Sequence, residues 1–374
     1  MLRMILALVL AAAIVLLTGP HFIAWLRKLK LGQTIYELGP ESHRKKQGTP
    51  IMGGLFIALG CVVSFLVFGL GFGFADAAKE SVRFPWEHVA ALLFVSLGSM
   101  AVGFGDDWIK MVKKRHEGLT PWQKIIGQAI VCVGFACYCY FHPEIGSKVH
   151  IPFTGIMWDL DIFYIPLLAL TVLFMVNSAN LQDGLDGILS TVTAVGSIGW
   201  AAIALIAVSS LTGLARGASY GIPLVDYPEM TDAAAIANLQ GTYNTIAVFA
   251  LALCGACIAF LRFNHYPATI FMGDTGSMFI GGAVVGMAML LREPFLLLLI
   301  GFTMVMSSVS VILQRYYYKA TRKIFGEPRR LFKMSPIHHH FEKCGMKETS
   351  IVLMYGIVTA VLTAVAVFAI NVIF

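Results

Sequence analysis

Charged residues are scarce: Asp, Glu, Lys and Arg make up 13% of the 374 residues, where soluble domains carry about 25%. So thin a polar cover cannot coat the two or three soluble domains that this length would otherwise allow. Cysteine is sparse too. Seven residues exclude a disulfide scaffold, and six of them (Cys61, Cys132, Cys137, Cys139, Cys254, Cys257) lie in apolar runs and read as small core hydrophobes. Cys254 and Cys257 have the spacing of a metal clip, but the core reading is preferred for them as well. No repeat and no low-complexity segment stands out. The net charge of +6 is split by membrane side, as the count of basic residues below shows, rather than gathered into one patch, which disfavours nucleic-acid binding. What the chain has in excess is apolar residues, 58% of the total, with a mean hydropathy of +0.78. It reads as an all-α integral membrane protein, a single polytopic domain over residues 1–374.

A helix crosses a bilayer with about 20 apolar residues. Ten runs qualify: 4–26, 51–71, 88–105, 123–141, 162–179, 187–208, 241–261, 276–291, 294–314 and 351–373. The first is too long for a signal-peptide core and has no small-residue cleavage site after it, so it is kept as a span. The eighth is short. Ten spans divide the connections into two sets, and 21 of the 27 Lys and Arg residues fall in 27–50, 106–124, 177–186, 262–275 and 315–350. Basic residues collect on the cytoplasmic side, which places those five connections in the cytoplasm and both termini outside. On the outer side, residues 142–161 suggest a small hairpin, and the helix formers after Thr231 suggest a short interfacial helix.

The unusual polar residues all lie on the cytoplasmic side. Asp106 and Asp107 end the third span. Adjacent carboxylates at a membrane boundary repel each other unless a cation or proton compensates. In a continuing helix Lys110 can neutralise one of them, and a solvated helix end with a salt bridge is the plain alternative. Next, Asn177, Asn180, Asp183 and Asp186 recur every third residue between the fifth and sixth spans. Gly184 and Gly187 open the chain there, in a connection without Lys or Arg. Third, Asp274 stands between Gly273 and Gly276 with Thr275 and Ser277 beside it, either as a carboxylate and donor set for a phosphate or as a simple N-cap. Fourth, His338, His339 and His340 follow Pro336 in the basic stretch 315–350. Three consecutive histidines cannot share one helix face, so an extended or looped segment is expected, with a metal clip, phosphate donors or an acid–base residue all open. Fifth, a basic run from His43 to Lys46 precedes Gly48-Thr49-Pro50. Five acids without a cysteine ligand suit a hard ion such as Mg²⁺. With the glycine-rich turn, the bases and the histidines, they read as phosphoryl transfer at the membrane–water boundary.

At these residues the sequence resembles the polyprenyl-phosphate N-acetylhexosamine-1-phosphate transferases, over the whole chain. The aspartate pair before Lys110, the segment Asn177 to Gly187 and the turn Gly273 to Ser277 carry the resemblance. The run Pro336 to Glu342 and the stretch Lys46 to Pro50 point to the muramoyl branch of the family. The resemblance implies transfer of phospho-N-acetylmuramoyl-pentapeptide from its UDP carrier, UDP-N-acetylmuramoyl-pentapeptide, to undecaprenyl phosphate. The products are UMP and the first lipid intermediate of peptidoglycan, with a need for Mg²⁺, in the bacterial cytoplasmic (inner) membrane. It makes Asp106, Asp107 and Asp274 the acidic catalytic and metal-binding set, with Asp274 foremost, and adds His338. It makes Lys46, Lys124, Asn180, Asp183, Gly184, Leu185, Asp186, Asn264, Phe271, His339 and His340 substrate-contacting residues, and it is compatible with a homodimer. Two positions depart from the family pattern: Ile51 and Gln182 stand where members commonly have Thr, and Ile51 cannot donate a hydrogen bond.

The chemistry of the residues agrees. A lipid phosphate is anionic near neutrality, so its oxygen can attack the nucleotide's β-phosphorus once charge repulsion is neutralised. Asp106 then acts as the base for a residual proton, or as the nucleophile of a two-step route, the first being preferred. A transporter is the rival from another class, but it would need charges near the bilayer midplane, and the acids here sit at span ends.

Overall fold

The computed structural model describes residues 1–28, 48–76, 85–113, 117–154, 156–215 and 233–373. Twelve helices follow in order among these residues: α1 (Leu2–Lys28), α2 (Gly54–Asp76), α3 (Trp86–Lys113), α4 (Pro121–Phe141), α5 (Tyr164–Gln182), α6 (Ile188–Ala215), α7 (Ala233–Asn264), α8 (Gly273–Leu290), α9 (Leu297–Ile300), α10 (Phe302–Phe325), α11 (Ile337–Lys343) and α12 (Glu348–Ile373). Between α4 and α5 lies the expected hairpin. Its strands β1 (Lys148–Ile151) and β2 (Ile156–Asp159) pair antiparallel, with Lys148 opposite Asp159. His150 Nδ1 meets Glu293 Oε1 at 2.6 Å, which ties the hairpin to the turn after α8.

Among the described residues, eight helices are long and apolar enough to cross a membrane: α1, α3, α4, α5, α6, α7, α8 and α12. Their outward faces are as apolar as the interior. Leu17, Ile130, Leu170, Val361 and Phe368 are all exposed, as expected where lipid replaces water as solvent. This is a multi-pass membrane protein. The second window, 51–71, coincides with α2, whose apolar part is shorter, Gly54–Leu70. The ninth, 294–314, is not one straight rod. Pro294–Ile300 and α10 meet at an angle of 84°, and the break falls at Gly301, which caps both pieces. The helix formers after Thr231 do not make a separate interfacial helix but supply the first turns of α7.

The short eighth span is explained by its surroundings. Every residue of α8 from Thr275 to Leu290 is buried, because α8 runs through the middle of the bundle between α3, α5 and α2. A helix that touches protein on all sides is not held to the bilayer's full thickness by its own ends. Around it, α7 packs against α1, α2 and α6, and α12 leans on α6. Cys254 and Cys257 lie fully buried in α7, as core residues.

Candidate active site

The centre of the site forms where α3 ends and α8 begins. A side chain at Gly103 would place its Cβ 2.2 Å from the Asp274 carbonyl oxygen, so only glycine lets the helices approach this closely. One turn later α3 presents Asp106 and Asp107, both buried. Asp107 reaches across to the start of α8. Its Oδ2 accepts from the backbone N–H of Thr275 at 2.9 Å and from the Thr275 hydroxyl at 2.7 Å, and its Oδ1 accepts from the N–H of Asp274 at 3.2 Å. A carboxylate from another helix thus satisfies the orphan donors that would normally take a local cap. The residue at the N-cap position, Met272, has no capping side chain.

Asp274 is freed by this arrangement. It does not cap its own helix, and its carboxylate gathers donors from three others. Asn180 on α5 donates to Oδ1 at 2.7 Å, while Oδ2 receives Lys124 Nζ from α4 at 2.9 Å and Lys110 Nζ from α3 at 3.1 Å. Lys110 also meets Asp106 Oδ2 at 2.5 Å and lies 3.9 Å from Asp107. The anticipated i,i+4 pair is therefore present, with the same ammonium touching three carboxylates. Asp106 is further fixed by the backbone N–H of Leu119 at 2.9 Å. Oxygens of Asp106, Asp107 and Asp274 lie within 4.8 Å of one another, close enough to hold a metal ion. An oxygen-only donor set suits Mg²⁺. The donors on Asp107 belong to the fixed start of α8, whereas Asp274 Oδ2 and Asp106 Oδ2 are held by lysine side chains, which an ion can displace.

The segment after α5 borders this centre. Asp183 ends α5 and is partly buried. Burial pushes its carboxyl up to about 8, and the negative charges of Asp274, Asp107 and Asp186 push the same way. Asp186 and Asn264 shape the chain. Asp186 Oδ2 accepts from the N–H of Ala268 at 3.0 Å, and its own N–H donates to Glu348 Oε1 at 2.6 Å. Asn264 accepts from the N–H of Gly187 and donates to the carbonyl of Ile270, both at 3.0 Å. Leu185 is buried. Phe271 packs against the cluster of Ile51, Met52 and Met111, as Phe104 does. Ile51 therefore lies in an apolar cluster, where its lack of a hydroxyl is unremarkable chemistry.

The histidine run departs from the expected extended segment. It lies on the seven-residue helix α11, docked by the Ser310 hydroxyl of α10, which accepts from the N–H of Ile337 at 3.0 Å. The premise that three histidines cannot share a face still holds, since the helix splits them. His338 and His339 are buried, and a Cβ on Gly184 would meet the Nε2 atoms of both. His340 turns the other way, to the N–H of Lys333 at 3.1 Å and the ring of Phe332. Lys46 lies outside the described residues. Gln182 points away from the acids, its amide donating to Thr303 Oγ1 at 2.9 Å between α5 and α10. Sequence reading missed Leu119 and Glu348, whose partners are 13 and 162 residues distant. No local signal marks them.

An apolar groove of about 880 Å³ opens beside the centre, lined by α5, α9, α10 and β-hairpin residues including Trp158, Phe174, Leu298 and Ile312. Its lining also includes Asn177, one helical turn from Asn180.

A bundle with lipid-like outer faces, a carboxylate–lysine centre at one helix boundary and an apolar groove that reaches Asn177, one turn from Asn180, is the frame of a membrane-embedded phospho-sugar transferase. The profile of glycosyl transferase family 4 matches residues 89–292. Curated relatives named phospho-N-acetylmuramoyl-pentapeptide-transferase match along nearly the whole length. That of Heliobacterium modesticaldum is 37% identical over 94% of this chain and 93% of its own. That of Clostridioides difficile is 38% identical over 96% of each. That of Clostridium perfringens (strain SM101) is 36% identical over 97% of this chain and 96% of its own. The chain belongs to glycosyl transferase family 4 and, within it, to the phospho-N-acetylmuramoyl-pentapeptide-transferases.

Proposed function

We propose that this protein transfers phospho-N-acetylmuramoyl-pentapeptide from UDP-N-acetylmuramoyl-pentapeptide to undecaprenyl phosphate, giving lipid I and UMP. The observation that carries the reading is the convergence of Asp106, Asp107 and Asp274 with Lys110 and Lys124 beside an apolar groove. A polyprenyl chain suits the groove, and its phosphate would then reach the lysines at the boundary. The eight long helices, α2 and the bent pair make the ten spans of the reading. The asymmetry of Lys and Arg supports a cytoplasmic site, both termini outside and a place in the bacterial inner membrane.

Lys110 and Lys124 are the groups that offset the charge of two phosphorylated substrates brought together. Asn180 and Lys124 hold the Asp274 carboxylate in place, while Asp107 fixes the backbone under it. Asp106 is positioned to take a residual proton from the lipid phosphate, in a single displacement at phosphorus. Asp183, Gly184, Leu185 and Phe271 are assigned to the nucleotide, with His338 and His339 directly against Gly184. Asp274 and Asp106 would hold Mg²⁺, which would supply positive charge to offset the charge developing on the phosphates. A homodimer is compatible with this reading, and mass measurement in detergent checks it. The direct test gives purified protein both substrates and measures release of labelled UMP. Labelled UMP must appear only when undecaprenyl phosphate is present, and release without acceptor would overturn a one-step transfer to lipid.

A further inference from the structure

A second polar cluster lies at the opposite ends of α3 and α4 from the carboxylates. His88 enters α3 in its first turn, about 27 Å along the helix from Asp106 at 1.5 Å per residue. His142 caps the end of α4, and Glu144 follows it in the turn before the hairpin. The three side chains converge, with one nitrogen of each imidazole and one oxygen of Glu144 all within 4.8 Å of one another. The imidazole centroids stand 4.4 Å apart. His88 is buried, with its Nε2 2.7 Å from Glu144 Oε2. A cavity of about 30 Å³ opens among these groups, walled by Trp86, Asn238 and Thr242 as well. That is room for an ion and a water.

We propose that His88, His142 and Glu144 form a transition-metal site, with Zn²⁺ the ion best matched. Two imidazoles and one carboxylate are ligands of Zn²⁺ in three-ligand sites, where water completes the tetrahedron. An ion that prefers only oxygen, as Mg²⁺ does, has no reason to choose this cluster over the carboxylates at the other end. The surroundings supply the orienting partners that metal-bound histidines require. The Tyr138 hydroxyl lies 2.8 Å from His88 Nδ1, which directs Nε2 at Glu144, and Glu87 lies 3.0 Å from His142 Nε2, which directs Nδ1 inward, where it accepts from the N–H of Glu144 at 3.3 Å. Metal at His88 Nε2 puts the ring proton on Nδ1, donating to the Tyr138 oxygen. Binding thus exchanges the His88 tautomer and replaces two hydrogen bonds, His88 Nε2 to Glu144 Oε2 and the Glu144 N–H to His142 Nδ1, with bonds to the ion. The site staples α3 to α4, the two helices whose other ends carry Asp106, Asp107, Lys110 and Lys124.

The test is Zn²⁺ binding by the full-length protein in detergent after treatment with a chelator, followed by titration with Zn²⁺ alone. One Zn²⁺ per chain is expected, with a rise in the apparent melting temperature. His88→Gln and Glu144→Gln should each weaken binding at least tenfold, and Tyr138→Phe by about 10–100-fold as loss of an orienting partner. His339→Gln, in the other histidine cluster, should bind Zn²⁺ as the parent does. Co²⁺ in place of Zn²⁺ should give the visible absorption of a tetrahedral site, a readout on the unaltered chain should a variant fail to fold. Parental protein that takes up no Zn²⁺, a Co²⁺ complex without tetrahedral bands, or stoichiometric binding retained in both His88→Gln and Glu144→Gln overturns the proposal.

Discussion

Asp107 is the residue whose role the geometry separates most sharply from that of its neighbours. It is 2% exposed and accepts three hydrogen bonds from the first residues of α8. Asp107→Asn keeps the shape but replaces one acceptor oxygen with an NH₂ group. If the amide nitrogen takes the Oδ2 position, it faces the N–H of Thr275, and two donors meet in a buried site. If it takes the Oδ1 position, it faces the N–H of Asp274 instead. Either way one buried N–H loses its partner and the others lose an ionised one, at a cost of about 2–4 kcal/mol. Thermal unfolding in detergent should register that as a fall of several degrees. Activity should fall too, because the start of α8 carries Asp274. The decisive measurement is a double-mutant cycle with Thr275→Val, which removes only the hydroxyl. If Asp107 acts through α8, the two changes share one interaction and their effects fall short of additivity by about 1 kcal/mol or more. Asp107→Asn with parental stability, additive effects and a large shift in Mg²⁺ dependence would refute the clamp and make Asp107 a primary metal ligand.

Asp274→Asn should slow turnover by at least about 10²–10³-fold, the scale of losing one electrostatic group at a reacting centre, while steady-state kinetics show half-saturation moved to higher Mg²⁺. Asp183 should make metal-free protein less stable as pH rises. Its carboxyl titrates near 8 in the fold against 3.8 in the open chain, so between those values the folded state holds a proton the unfolded state has released. Melting temperatures measured from pH 5 to 9 should fall through that window and fall less in Asp183→Asn. His339→Gln should reduce turnover more than His340→Gln in the labelled-UMP assay, since His340 turns toward Lys333 and Phe332.

Much of this was legible in the chain because membrane helices announce themselves by composition. Among the described residues eight windows fall on long apolar helices, the second on the shorter α2 and the ninth on a pair broken at Gly301, and the hairpin at 148–159 falls inside the segment that suggested it. Asp106, Asp107, Asp274 and Asn180 are legible as members of separate clusters, each set by its local spacing, while Lys124 enters only through the family resemblance. What was not legible is depth and partnership. Nothing in the sequence between Gly273 and Leu290 says that α8 lies at the centre of the bundle, and that position accounts for its shortness. The bend at Gly301 depends on how α9 and α10 pack, and glycine occurs inside many straight helices of this chain. The histidine run misled because its divergent faces were taken to exclude a helix. A short helix can use that divergence, burying two side chains and turning the third outward.

Lys110 brings the electrostatics of the centre to a single testable point. Its ammonium touches Asp106 and Asp274 and lies near Asp107, which makes it a resident cation among the carboxylates assigned to Mg²⁺. Two cations cannot hold the same oxygens without repulsion, so the lysine and the ion compete for Asp106 and Asp274 in the absence of substrate. Phosphate oxygens of the nucleotide give the ammonium a second place to go. Binding of substrate and metal should therefore be linked, each favouring the other through Lys110. Lys110→Gln removes the competitor, so metal binding to substrate-free protein should tighten even as turnover falls. Tightening by tenfold or more is expected if the competition costs about 1.4 kcal/mol. Titration calorimetry with Mg²⁺, or with Mn²⁺ detected by paramagnetic resonance, reads the first effect and labelled-UMP release the second. Should Lys110→Gln weaken metal binding instead, the lysine organises the carboxylates rather than competing for them, and the ion must bind beside the trio through Asp274 alone.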